Sequence, residues 1–434
     1  MGRVLITIVT VLLFMPFAWG QESDRVPPED EPHAFEALLD EVLENNPELK
    51  FYEAEILAAK GLRTTAGVWS NPEVGGAVGR KRVTGGSEGE TLTGSAREVV
   101  VTQSVEWPGR IHLRKAIADR DVKLAELGLE QFRATLKARI KIAAYVFSAA
   151  QERAAAVNEV AEHFRAMREV LLQRNQAGLT PLLESRVIEA IELNMQRRAS
   201  QAVLDANTAV FDVNHLRGVA PDEVLVLPRI QLVFHPISVD TNELAKLASA
   251  HDFQVRARTI ELERQRYDVK LAKNERFPAI TAGPALSQER AGERERVIGA
   301  ELSLPLPLWD RNQGRIATAK AQQSQAEVAL DVAQREAARR LVETVAAYNT
   351  KLKEMAQWRP DSIEHFKEAA ELADRHYRLG AVPLSTYTEL QSQYLDAIEG
   401  LQQTKQEALE AATQLELMIG KNLSLVEVRA GQSP

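Results

Sequence analysis

The chain has 434 residues, with 53 Lys and Arg against 61 Asp and Glu, giving a formal charge of −8. That acidic balance, with basic residues spread along the chain instead of clustered, excludes nucleic acid as a partner class. Cysteine is absent, which excludes disulfides, thiolate metal sites and a lipid anchor on an N-terminal cysteine.

The first predicted element is a leader. Arg3 gives a short basic start, Val4 to Phe14 form an apolar run interrupted by Thr7 and Thr10, and Ala18, Trp19 and Gly20 precede Gln21. This layout predicts a cleaved secretory signal over residues 1–20, too short for the roughly 20 apolar residues of a spanning helix. Residues 21–33 read as an N-terminal tail. No later run approaches a spanning length, so any membrane crossing has to be made by strands.

From residue 34 the chain reads as two structural repeats, 34–218 and 242–420, joined by a linker over 219–241 that holds Pro221, Pro228 and Pro236. A C-terminal tail follows over 421–434. Each repeat is expected as helix, β-hairpin, long helix, tight turn and return helix. In the first, a helix over 34–66 precedes a hairpin over 72–107. Val99, Val101, Gln103, Val105 and Trp107 alternate there with Glu98, Val100, Thr102, Ser104 and Glu106, close to the pattern of a strand with one apolar face. A polar loop is expected over 81–95.

A long helix then runs from Gly109-Arg110-Ile111 to a turn at Gly178-Leu179-Thr180-Pro181. It is rich in Ala, Leu, Glu, Gln, Lys and Arg, and Leu129, Phe132, Leu136 and Ile140 share the spacing of one buried stripe. At 1.5 Å per residue it spans about 100 Å. The return helix covers about 182–217.

The second repeat follows the same order: helix 242–274, hairpin 278–309 with a polar loop over 289–296, and a long helix from Gly314-Arg315-Ile316 to Gly380. Ile298, Ala300, Leu302, Leu304, Leu306 and Leu308 alternate along the second strand. Pro360 is expected to bend or interrupt the long helix. The return helix covers about 384–420.

Four strands cannot close a barrel, because single-chain barrels begin at eight, so several copies have to share one. Two copies supply eight strands and three supply twelve, and the residues leave that choice open. Trp69, Trp107, Phe277 and Trp309, at the strand ends facing the helices, predict an aromatic girdle at one bilayer interface, with capping of the helical core as the alternative.

The eight histidines form no i, i+3 or i, i+4 pair, and there is no phosphate-binding glycine loop, no Gly-x-Ser-x-Gly elbow and no HExxH motif. No catalytic residue, cofactor or resident metal is expected, and the chain does not read as an enzyme.

Over essentially all of the mature sequence the pattern resembles the TolC-like outer membrane efflux factors. Gln103-Ser104-Val105-Glu106-Trp107-Pro108-Gly109-Arg110 and Leu304-Pro305-Leu306-Pro307-Leu308-Trp309-Asp310-Arg311-Asn312-Gln313-Gly314 are similar to segments of the CzcC-type members that serve heavy-metal RND pumps. The resemblance implies a mainly α fold with a small β part: coiled-coil helices form an α-barrel, and four transmembrane β-strands per protomer enter a shared twelve-stranded barrel of a homotrimer. It places the chain in the cell outer membrane, in contact with lipid and extending into the periplasm.

It also implies partners, a periplasmic adaptor (membrane fusion) protein and an inner-membrane RND pump, with heavy-metal cations as the cargo conducted. The adaptor-contacting tips correspond to Gly178, Leu179 and Thr180 and to Arg378, Leu379 and Gly380. Family members often carry an acidic gate ring after the second turn. The matching positions are Thr386 and Glu389, of which the second is acidic, and Glu184 holds a comparable place after the first turn. Drug efflux or type I protein secretion is the alternative for such a channel. A periplasmic coiled-coil scaffold without a pore is the alternative of another class.

Overall fold

The computed structural model describes residues 32–84, 91–176, 182–359 and 361–430. The expected leader lies outside these residues, as does nearly all of the N-terminal tail. Two helices open the described chain, α1 (Pro32–Asn45) and α2 (Pro47–Ala66), where one was expected. The break falls at Asn46, which is buried. Its side chain accepts a hydrogen bond from the Glu48 amide at 3.0 Å and donates one to the Leu216 carbonyl at 2.8 Å. A capping side chain followed by proline starts a helix more readily than it continues one.

A hairpin of β1 (Glu73–Thr84) and β2 (Thr91–Val105) leads into α3 (Arg110–Gln176), a single helix of 67 residues, and α4 (Leu182–Arg217). Strand β3 (Ile230–Phe234) lies in the segment expected as a linker. The second half opens with α5 (Thr241–His251) and α6 (Phe253–Asn274), again split where one helix was expected. Here the buried Asp252 caps α6, accepting from the Gln254 and Val255 amides at 2.9 and 3.1 Å.

Next come β4 (Ile280–Ala291), β5 (Glu293–Ser303), α7 (Gln313–Gln357), α8 (Ser362–Arg378), α9 (Leu384–Ile419) and β6 (Val426–Ala430). The long helix expected over the Pro360 region is interrupted between α7 and α8. The strand expected to reach Trp309 stops at Ser303, because Pro305 and Pro307 carry no amide hydrogen for a ladder. The loops expected over 81–95 and 289–296 are shorter than predicted. In the second hairpin, strand continues to Gly292, whose φ of 88° makes the turn.

Two antiparallel sheets result, one in the order β1-β2-β4-β5 and a small one of β3 with β6. The helices pack around α3, which touches α2, α4, α6 and α9. The predicted stripe is core: Phe132, Leu136 and Ile140 are buried with Leu38, Val42 and Val213, and Leu129 packs against them. A second cluster, of Phe164, Met167, Leu171, Ile188, Tyr377 and Tyr387, binds the α3–α4 pair to the α8–α9 pair toward their turns. Among the described residues no helix is long and apolar enough to cross a membrane.

Candidate functional site

Directly opposed residues of an antiparallel pair point to the same side, so the pairing register sorts the larger sheet into two faces. Gly76, Val99, Leu286 and Ile298 stand in one row across all four strands. Val74, Val78, Val101, Ile280 and Leu302 share that face, and Val74, Val78, Ile298 and Leu302 are 72–85% exposed. On the other face the corresponding row is Ala77, Glu98, Ser287 and Val297, followed by Gly79, Ala96, Glu289 and Glu295. Lys81 lies on this second face, with its Nζ 2.6 Å from Glu289 and 2.8 Å from Glu295. One side of the sheet is therefore apolar over its half nearer the helices and uncovered by any described residue. The other is mostly small and acidic.

The hairpins join at β2–β4, and the outer edges of β1 and β5 have no strand partner among the described residues. At Gly283 an added Cβ would meet the Val101 backbone, so this seam has no room for a side chain there.

At the end of the sheet nearest the helices the Trp107 and Phe277 rings stack with centroids 4.8 Å apart and planes 18° from parallel. Trp69 and Trp309 are 57% and 86% exposed. The two segments that carried the family resemblance converge here. Arg110 donates from Nε to the Asn274 side-chain oxygen at 3.1 Å, Asn274 donates to the Pro108 carbonyl at 3.0 Å, and Asn312 donates to the Ala272 carbonyl at 2.8 Å. Reading the sequence alone assigned no role to Arg110, Asn274 or Asn312. Together they fasten the sheet to the helices, and the polar residues flanking the strands were the signal.

At the opposite end, α8 and α9 meet at Gly380, whose φ is 74°. The Gly380 amide donates to Tyr377 O at 2.9 Å and the Ala381 amide to His376 O at 2.8 Å, which closes the helix end. Leu379 is 80% exposed, and Arg378 pairs with Asp374 at 2.8 Å. Tyr387 is buried beneath the turn, stacked on Tyr377 at 5.3 Å and tilted against Phe164 at 5.0 Å. Burial, with Asp374 close by, pushes its phenol up. Glu389 is exposed and accepts from Gln393 at 2.8 Å. Gly178, Leu179 and Thr180 lie outside the described residues, as does the side chain of Glu184.

Residues 244–421 match the family model described as Outer membrane efflux protein. No curated protein matches the chain in sequence. Solved structures share its fold. A membrane protein from Pseudomonas aeruginosa is 19% identical with a TM-score of 0.71, covering 89% of this chain and 93% of its own. The CmeC outer membrane channel of Campylobacter jejuni is 16% identical at a TM-score of 0.69, covering 94% and 91%. The Neisseria gonorrhoeae MtrE outer membrane channel, in an open state, is 15% identical at 0.67, covering 90% and 89%. The family segment lies in the second half of this chain, and the shared fold extends over 89–94% of it. Among its described residues, no group of three His, Asp or Glu side chains could hold a metal ion.

Proposed function

We propose that the chain is the outer-membrane channel of a three-part efflux system, passively conducting cargo outward from a periplasmic adaptor and an inner-membrane RND pump. The observation that carries this reading is the two-faced, open-edged sheet: an apolar face suits lipid, a small acidic face suits a water-filled lumen, and two bare edges need partners. Three copies joined at those edges close twelve strands, with their helices continuing the duct into the periplasm.

The reading includes an internal duplication. Asn46 and Asp252 both cap a helix after a break, and Gly218 and Gly420, with φ of 73° and 66°, both close against the residue just before that cap, Asn45 or His251. Trp69, Trp107, Phe277 and Trp309 form the girdle at the periplasmic interface. Gly178, Leu179, Thr180, Arg378, Leu379 and Gly380 meet the adaptor, with Glu184 and Glu389 near the gate. Heavy-metal cations are the cargo. Glu98, Glu289, Glu293, Glu295 and Glu301 on the lumenal face, with Lys81 as their one basic neighbour there, favour cations electrostatically.

Conductance in planar bilayers tests this: the expected channel prefers cations, and Glu98→Gln with Glu301→Gln weakens that preference without abolishing conduction. A protein that is monomeric in water without detergent and carries no current overturns the proposal.

A further inference from the structure

Six arginines, Arg80, Arg82, Arg97, Arg290, Arg294 and Arg296, stand on the apolar face of the sheet, all toward its end away from the helices. The register places Arg80, Ser95, Arg290 and Arg294 in one row and Val78, Arg97, Gln288 and Arg296 in the next. Below them the row of Gly76, Val99, Leu286 and Ile298 begins the apolar band. All six side chains are exposed, and none makes a hydrogen bond or ion pair with a described residue. Carboxylates are close in sequence but point the other way: Glu289, Glu293 and Glu295 alternate with Arg290, Arg294 and Arg296 and project from the opposite face.

Arg290 and Arg294 are directly opposed across β4 and β5. Like charges so placed weaken a sheet, and among the described residues no acid on this face relieves them. An anion from outside the described residues would offset this repulsion. Its height is set by the strand. Ten residues separate Arg97 from Trp107, a rise of about 33 Å that a tilt of roughly 40° reduces to about 25 Å, the height of the apolar band of an outer-membrane barrel. With the aromatic end at one interface, the guanidinium groups reach the headgroup level of the far leaflet.

We propose that this belt binds phosphorylated headgroups of the lipids in the leaflet distal to the helices, an inference that rests on the membrane reading of the sheet given above. Guanidinium groups match phosphate oxygens in bidentate geometry. An occupant with phosphate above and acyl chains below fits both the belt and the apolar rows beneath it; a nucleic acid or phosphopeptide leaves those rows uncovered.

The test uses the full chain in phosphatidylcholine vesicles containing either bisphosphorylated lipid A or the same lipid with its phosphates removed. After extraction in mild detergent, co-purifying lipid is quantified by mass spectrometry. The phosphorylated form is expected to be retained over the dephosphorylated one. The R97Q, R290Q, R296Q triple variant should lose that retention by on the order of tenfold or more, with insertion unchanged. Equal retention of the two lipids by the native chain overturns the proposal, and this arm stands even if the variant does not fold. Undiminished retention by a folded variant also overturns it. Displacement of the lipid by inorganic phosphate at matched concentration reassigns the belt to soluble phosphate and sinks the lipid assignment. Failure of the native chain to enter either vesicle defeats the membrane reading itself, a result distinct from insertion without lipid preference.

Discussion

Glu192 is fully buried between α3 and α4, where it accepts hydrogen bonds from Arg168 Nη1 at 3.0 Å and Gln196 Nε2 at 2.7 Å. Removing the carboxylate takes from the Arg168 guanidinium, about a third exposed, its anionic partner. Glu192→Ala is expected to cost about 2 kcal/mol, less than the roughly 3–5 kcal/mol of a fully buried pair because the arginine still reaches water. Glu192→Gln should cost less, and thermal unfolding in detergent separates the two. Glu416 differs, since burial raises its carboxyl and Lys141, 3.8 Å away, only partly opposes this. With the folded value above the ordinary 4.5, the native state keeps a proton that the unfolded chain releases. That contribution is complete below pH 4.5 and fades as pH rises through the folded value. Glu416→Gln should therefore flatten the decline in melting temperature measured from about pH 4 to about pH 8.

At the scale of elements, the α8–α9 turn depends on backbone shape at Gly380. Nothing lies within 4 Å of an added Cβ there, so a substitution meets the left-handed φ and no steric wall. Gly380→Val is expected to cost about 1–2 kcal/mol locally, and Gly380→Asn less. Faster hydrogen exchange over 375–384, with the sheet still inserted, is the expected readout; unchanged exchange would show that the turn tolerates any residue.

This turn was legible in the sequence because a glycine ends a long run of helix formers. The Asn46 break was also written there, as an Asn-Pro pair. The split at Asp252 was not, because its cause is a buried carboxylate that also meets Arg340 at 3.1 Å, a contact made by folding. Arg294-Glu295-Arg296 read as a polar loop because both faces of that strand are charged, which hides the period-two signal. Leu304, Leu306 and Leu308 read as strand for the converse reason: alternation persists where the intervening prolines forbid a ladder. Strands β3 and β6 were invisible, being five residues each and paired across about 200 residues.

Across the whole molecule, β1 and β5 lie at opposite edges of one sheet, about 14 Å apart across three strand spacings. A disulfide needs Cα atoms within roughly 7 Å, so cysteines placed in β1 and β5 cannot bridge within one copy. The chain has no cysteine to confuse the result. Scanning pairs with one cysteine in β1 and one in β5 of the same chain should give oxidised ladders of linked copies ending at three in membranes. Monomers at every pair would remove the shared wall.

The pairing of β3 with β6 has a consequence for how such a rod moves. Leu232 packs on Tyr145, near the middle of α3, and the Tyr348 hydroxyl donates to the His235 and Leu425 carbonyls at 2.7 and 3.0 Å. The two ends of the second half are thus tied in a belt around the waist of the helices. On the channel reading proposed above, a belt there is a fulcrum: the lower arms splay at their turns while the upper arms stay seated in the sheet. Opening and anchorage then become separate mechanical problems within one continuous helix.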